Sequence, residues 1–399
     1  MMAAIRAAGL GQDVILLEKK SSPGNKLLLS GKGRCNLTNA EELEYFLKRF
    51  SKNGDFLRDA FKKFFNRDLM LFFEERGLKL KTERQMRVFP ATDRSAGILN
   101  VLQKELEKVG AQVICKSKVV DLLLQGGKVK GVRLENGRDI LADRVILATG
   151  GASYSFTGSD ASGINIAGKL GHTTVPLRAG LVGLMVKQDY PEKLEGLILH
   201  NIKIIFSDGK TQVVSDIGEL LFTGFGISGP LVITLSGRVI DLLAQNKKVS
   251  AQIDLKPALS RQQLDSRLLR EFKLHAKKNI KNMLKEILPL RLIAVFTQAA
   301  GIDAFKKCSQ VTQKEREKIV SLLKGFCLDI SGPRPIEEGM ITRGGVSLKE
   351  INPRTMESRL IKGLYFCGEM IDVDADTGGF NLQAAFSTGY LAGESASLA

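Results

Sequence analysis

The sequence predicts an α/β fold: a Rossmann-type domain interrupted by an inserted domain that is first β-rich and then helical. Three observations predict it. Asp13-Val14-Ile15-Leu16-Leu17-Glu18 and Arg144-Val145-Ile146-Leu147-Ala148-Thr149 are continuous apolar runs, the pattern of parallel strands covered on both faces. From about Phe156 to Ile330 the texture changes to short β-rich pieces followed by helix formers. After that, Gly363 to Glu369 reads again as a covered strand, and Gly378-Gly379 opens a last helix.

Taken in order, Met1 to Ala8 is all helix former and Gly9 ends it; the strand Asp13 to Glu18 follows, so the pair reads as the second half of a βαβ unit. In a dinucleotide-binding fold the acid closing that strand accepts hydrogen bonds from the adenosine ribose, about 20 residues beyond a G-x-G-x-x-G turn. Counting back from Glu18 runs past Met1. The expectation is therefore a chain that begins inside its first helix, just after the glycine fingerprint. Ser95 to Val109 reads as a helix with Thr92 or Asp93 as its N-cap, and Ala111 to Val120 as a strand. The Gly126-Gly127 and Asn136-Gly137 turns divide the next stretch into a three-stranded meander, a feature of two-dinucleotide-type flavoproteins. Within the insertion, Leu181 to Val186, Ile202 to Phe206 and Lys248 to Leu255 read as strands, and helices run from Ser260 to about Lys324. The last helix runs from Phe380 to about Gly393. Expected domains are 1–155, an inserted substrate or cap domain over 156–330, and a return segment over 331–399.

Lys and Arg exceed Asp and Glu by 59 to 43, a net charge of +16, which favours anionic partners such as nucleotides. The densest run places Lys273, Lys277, Lys281 and Lys285 at i, i+4 spacing, read here as one solvated helix face; no aromatics are interleaved for base stacking. Five cysteines, widely spaced and without C-x-x-C, argue against a disulfide framework, a zinc site or a dithiol pair, and fit a reducing cytoplasm. No apolar run approaches the roughly 18 residues of a membrane span, so a soluble cytosolic protein is expected.

The stretch SGKGRCNLTN, Ser30 to Asn39, packs two glycines, two cations, a thiol and four hydrogen-bonding side chains around a single aliphatic residue. It has no apolar period, so it reads as a loop built to lie against a polar, anionic ligand. Gly224, Gly226 and Gly229 form a formal G-x-G-x-x-G, but it runs into Pro230 and then Leu231 to Leu235, which reads as strand, so no dinucleotide site is assigned there. Asp372, Asp374 and Asp376 mimic the start of an EF-hand loop, but Thr377 and Gln383 stand where glycine and glutamate are required, so calcium is rejected and no metal is assigned. Cys35 is read as a packed thiol. His172, His200 and His275 are read as capping or surface residues, and Tyr154 as bordering a ligand or as packing.

At Lys26 to Asn39, Val88-Phe89-Pro90, Ala148 to Gly151, Ile341 to Val346, Thr355 to Ser358 and Gly363 to Gly393 the sequence resembles the YhiN-like or BaiN-like FAD-dependent oxidoreductases, also known as the aminoacetone oxidase family. It departs from that family in lacking the opening strand and glycine turn, and in having Gly224 where the family usually has histidine. The resemblance implies FAD as cofactor, NADH or NADPH as transient donor, and a small organic acceptor such as an enone, or oxygen. It implies that Glu18 holds the ribose and that Gly31 and Gly33 let the backbone approach the cofactor, with charge from Lys32 and Arg34 and the loop fixed by Asn36 and Thr38. It also implies contacts from Lys26, Ser30, Val119, Thr149, Gly150, Gly151 and Gly368, with Glu369 or Asp372 accepting from the ribityl hydroxyls. Gly378, Gly379 and Phe380 would open the last helix so that the amides near Asn381 and Leu382 face the flavin's N1/O2 edge. No catalytic residue is assigned, and neither nucleic acid nor membrane is an expected partner. The rival readings are a flavin-dependent tRNA-modifying protein and a truncated, inactive flavoprotein.

Overall fold

In the computed structural model, which describes residues 1–245 and 247–398, the chain divides into two compact units: Met1–Gly180 with Pro335–Ala399, and Leu181–Arg334. In the first unit, the helix Met2–Ala8 ends at Gly9 and the strand Ile15–Leu17 pairs in parallel with Gln112–Ile114. A second parallel ladder joins Val145–Leu147 to Leu364–Phe366. Both pairings bring together segments far apart in sequence, which is the mark of crossover connections. Between them lies the expected meander, Val119–Gln125, Lys128–Leu134 and Asp139–Leu141, turning at Gly126-Gly127 with both glycines at positive φ. Phe380–Leu398 carries buried side chains on all sides, as a central helix should. It packs on the first helix through small residues, where a side chain on Gly393 would overlap the Ala3 carbonyl.

The second unit is built on a seven-stranded antiparallel sheet. Its order is Gln212–Val214, Ile198–Ser207, Gly218–Thr223, Gly226–Ser228, Leu184–Val186, Phe326–Pro333, Val249–Asp254. The last of these also pairs with Ile198–Ser207, so the sheet closes on itself with Gln212–Val214 as an extra strand. Closure leaves few unpaired edges. Ile202, Ile204 and Phe206 alternate inward from one strand to meet Phe222, Ile253 and Leu328 in the core. The helices Arg261–Leu274, Leu290–Ala300 and Gln313–Leu323 share that core.

Three local expectations are corrected. Pro230–Leu243 is a helix, not a strand: Pro230 occupies the first turn, where its missing N–H costs nothing, and Val232, Leu235, Val239 and Leu242 recur at helical spacing on the buried side. The G-x-G-x-x-G preceding it is a hairpin between two antiparallel strands, and Gly226 lies against Leu184, so it lacks the strand-turn-helix form of a dinucleotide fingerprint. Lys273 to Lys285 do not share one helix face, because the helix ends at Leu274 and a new turn starts only at Ile280. The intervening backbone instead pairs with residues 304–309: Ile280 N–H donates to Lys306 O at 2.9 Å and Cys308 N–H to Lys278 O at 3.0 Å. The helix Ser95–Lys108 has Arg94 at its N-cap without a side-chain bond, and Asp93 pairs with Arg34 and Lys81 instead. Among the described residues no helix is long and apolar enough to cross a membrane.

Candidate functional site

The Ser30–Asn39 loop is held by its own backbone. Gly31, Lys32, Gly33 and Cys35 all adopt positive φ, and Cys35 N–H donates to Ser30 O at 2.9 Å. The loop has a closed side and an open side. A Cβ on Gly31 would lie 2.7 Å from the Asn36 nitrogen, whereas one on Gly33 would meet nothing within 4 Å. Cys35 is fully enclosed, and burial pushes its thiol up to about 11 against the opposing Ser30 bond, so it is an inert packing group. The Ser30 hydroxyl spends its proton on Leu27 O at 2.6 Å. Arg34, expected to supply charge to a ligand, pairs with Glu83 and Asp93 and lies over the Phe89 ring at 4.2 Å; Lys32 is left exposed.

This loop is bonded to the start of the last helix. With the Asn36 amide nitrogen toward Thr38, it donates to Thr38 O at 3.2 Å and its oxygen accepts from Gly379 N–H at 3.1 Å. Asn39 Nδ2 donates to Gly378 O at 3.1 Å, and Thr38 Oγ1 donates to Gln383 Oε1 at 2.6 Å. Gly379, at φ 96°, lies so close to Thr38 that a Cβ would overlap its carbonyl. Phe380 is buried against Phe46, with ring centroids 4.7 Å apart. Asn381 clasps the preceding loop, accepting from Ala375 N–H and donating to Ala375 O, each at 2.9 Å. Because a helix's first amides have no intrahelical acceptor, this 19-residue helix presents N–H groups at Asn381 and Leu382 beside the glycine pair.

Glu369 organises a second cluster. Its carboxylate accepts from Thr342 N–H at 2.7 Å, Gly151 N–H at 3.3 Å, Ser153 Oγ at 3.3 Å and Lys26, whose ammonium also donates to Ser153 Oγ at 2.7 Å. Thr342 Oγ1 in turn accepts from Ala152 N–H at 2.8 Å. Four protein donors occupy the Glu369 oxygens. Among the described residues the Asp372 carboxyl is bonded only to Asn53, through Oδ2 at 3.2 Å, and burial followed by Asp374 raises its pKa, so of the two carboxyls Asp372 keeps capacity for a further hydroxyl. Asp374 pairs with Arg343 at 3.1 Å and Asp376 lies 3.7 Å from Arg49, so the EF-hand mimic is three acids with separate partners. Thr149 donates to Met370 Sδ at 3.2 Å, Gly150 stands at φ 77°, and Gly368 N–H donates to Thr388 Oγ1 at 3.0 Å. Ser153, Thr342, Arg343 and Asn53 were not singled out from sequence. Thr342 and Arg343 lie in a quoted motif, but nothing local ties them to Glu369 or Asp374.

Glu18 closes its strand as expected and accepts from Lys20 N–H at 2.8 Å. Next to it, at the C-terminal ends of the parallel strands, Lys19, Lys20, Lys116, Lys118, Glu135 and Asp160 border an open cleft of about 270 Å³, in which Lys19 pairs with Asp160 and Lys118 with Glu135, each at 2.6 Å. Ligands of open α/β sheets bind outside those strand ends, and Lys20 and Lys116, which have no carboxylate partner among the described residues, suit an anionic one. Val119 heads the first meander strand and packs against the same apolar cluster as Leu17. His172, expected at a cap or on the surface, is buried, with Nε2 2.7 Å from Ser358 Oγ and Nδ1 3.2 Å from Ala167 O.

A model of the HI0933-like protein Rossmann domain matches residues 1–395. The chain belongs to the HI0933-like family. Among its relatives is the 3-dehydro-bile acid delta(4,6)-reductase of Clostridium scindens, 32% identical over 99% of this chain and 95% of the relative. The ribosomal RNA dihydrouridine synthase of Escherichia coli is 28% identical over 98% of this chain and 93% of the relative. That of Haemophilus influenzae is 29% identical over 98% and 94%. Of solved structures, a quinol fumarate reductase of E. coli superposes with a TM-score of 0.51 over 100% of this chain and 68% of that chain, at 16% identity, which is a likeness of fold. The family match and this likeness bear out the expected Rossmann-type fold.

Proposed function

We infer that this protein is an FAD-dependent oxidoreductase that draws on NADH or NADPH and reduces a carbon–carbon double bond conjugated to a carbonyl. The observation that carries the reading is the bonding of the Ser30–Asn39 loop to Gly378-Gly379 at the start of the last helix. It sets an open glycine backbone beside first-turn amides, and the same compact unit holds the half-buried carboxyls and the cleft beside Glu18, which supports the reading. These residues fit the cofactor. Glu18 would accept from the ribose, Asp372 from the ribityl chain, and the helix N-terminus at Asn381 and Leu382 favours negative charge placed against it. FAD, when bound, supplies the hydride chemistry. The Lys26–Glu369–Thr342 network holds the Gly150-Gly151 turn through the Gly151 N–H bond to Glu369.

The relatives' names support the acceptor class. A 3-dehydro steroid with delta-4 and delta-6 alkenes is a conjugated dienone, and dihydrouridine is uridine whose alkene beside a carbonyl has been saturated. The shared chemistry is conjugate reduction. The chain's net +16 favours a second form of the reading in which that alkene belongs to a nucleobase in RNA.

The test is an anaerobic titration of the FAD-loaded protein with NADH and then NADPH, followed by a cyclic enone or uridine-containing RNA. Bleaching of the flavin's blue absorption by one nicotinamide and its return on adding an acceptor is the expected result. A flavin that neither nicotinamide bleaches removes the donor assignment; a reduced flavin reoxidised by oxygen alone removes the alkene.

A further inference from the structure

We propose that the helical side of the second unit, around Lys277, Lys278, Phe305 and Lys307, is a docking surface for RNA with unpaired bases. Residues 256–324 hold 16 Lys and Arg against six Asp and Glu, so a net +10 of the chain's +16 falls in this stretch. Between 273 and 307 the balance is eight to two.

Folding concentrates this charge. The backbone clasp between residues 276–281 and 304–309 sets Lys277 and Lys278 across from Lys306 and Lys307, with Asn279 bridged to Lys307. Among the described residues no carboxylate lies within the 4.0 Å of an ion pair from Lys277, Lys278, Lys285 or Lys307, whereas Lys306 is neutralised by Glu315 at 2.7 Å. Asp303 is the acid nearest to Lys307 in sequence, and one of its oxygens is engaged by Phe305 N–H at 2.9 Å. Unpaired like charges held together by backbone bonds cost stability and are relieved by a polyanion.

Phe305 selects among polyanions. It is 64% exposed at the tip of the clasp, and Lys281 Nζ lies 3.7 Å from its ring centroid. An exposed aromatic ring flanked by cations offers a stacking platform for a base beside contacts for its phosphates, the pairing that single-stranded nucleic-acid surfaces use. The ring reaches the lysine run from 24 residues away in sequence, which is why no interleaved aromatic is visible there. A surface for acidic protein or phospholipid headgroups would have no use for it as a base platform.

The experiment measures anisotropy of a fluorescein-labelled RNA stem-loop with the full chain, at several salt concentrations. The wild type is compared with Lys277→Glu/Lys278→Glu/Lys307→Glu and with Phe305→Ala, and fully paired RNA and acidic phospholipid vesicles serve as competitors. All four side chains are exposed or outside the core, and an unchanged thermal melt and flavin spectrum show that each variant is folded. Expected are affinity that falls steeply with salt, a loss of about 100-fold in the triple variant, and about tenfold in Phe305→Ala for the stem-loop but not for paired RNA. Unchanged affinity in the triple variant overturns the proposal. So does a Phe305→Ala variant that binds the stem-loop as the wild type does, or vesicles that compete better than RNA. Bleaching by a nicotinamide and reoxidation by the cyclic enone do not depend on RNA docking, so either reading can fail alone.

Discussion

His172 shows how a residue's environment decides its role. Its ring is buried between Ala167 O, Ser358 Oγ and the Phe366 ring, 5.0 Å away, and burial lowers its pKa below the ordinary 6.5, with Ala167 pulling the other way. Donation from Nδ1–H to Ala167 O leaves Nε2 to accept from Ser358, whose oxygen accepts the Leu360 and Ile361 N–H groups at 3.0 Å. The imidazole therefore has to stay neutral. Below about pH 6.5 the unfolded chain binds a proton that the folded chain refuses, so stability falls with acid until the folded pKa is reached. The slope is at most about 1.4 kcal/mol per pH unit for this one site. His172→Gln keeps the bonding capacity without the titration. Urea unfolding between pH 7 and 5 should show a shallower loss in that variant, and parallel losses would place the acid sensitivity elsewhere. Sequence read His172 as a capping or surface residue, and nothing local announces Ser358, 186 residues away.

At the scale of elements, the decisive contact is between a loop near one end of the chain and a helix near the other. Gly379 and Gly33 both stand at positive φ, yet their surroundings differ. A Cβ on Gly379 would overlap the Thr38 carbonyl, whereas one on Gly33 would meet open space. Gly379→Ala should then cost several kcal/mol, from about 1–3 kcal/mol of backbone strain plus displacement of Thr38, and lower the thermal midpoint sharply. Gly33→Ala should cost only about 1 kcal/mol in the same melt but weaken FAD binding, because its open side is where a ligand would lie. Equal melting losses in the two would contradict this division of the loop into closed and open sides. Both glycines were legible from sequence as candidates; which one is structural and which faces space was not, since each answer depends on the atom opposite.

At the scale of the whole molecule, the two units have separate cores: Phe206, Phe222 and Phe326 in one, Tyr365, Phe366 and Met370 in the other. A cofactor held by the first unit stabilises that unit by mass action, about 2.7 kcal/mol at 100 times its Kd. Hydrogen exchange with and without FAD should slow amides such as those of Leu364 to Phe366 while leaving those of Ile202 to Phe206 unchanged. Equal slowing in both would mean that the units open as one. The insertion's change of texture was visible in the sequence. The closure of its sheet was not, because the pairing of Val249–Asp254 with Ile198–Ser207 joins strands more than 40 residues apart.

By itself the sequence determined the family, the Rossmann-type plan, the meander and the glycine-rich segments that must approach something closely, because apolar period, turn residues and motif order are local properties. It misread Pro230–Leu243, where β-branched residues imitate a strand, and the lysine run, whose i, i+4 spacing imitates one helix. Only the tertiary structure decided that Arg34 is spent on Glu83 and Asp93, that Glu369 is saturated by four donors while Asp372 is not, and that Phe305 stands beside Lys281. The physical reason is common to these cases. Whether a charge, a carboxylate or a ring is free to act depends on which partners folding brings within hydrogen-bonding or stacking distance, and those partners lie tens to hundreds of residues away in the chain.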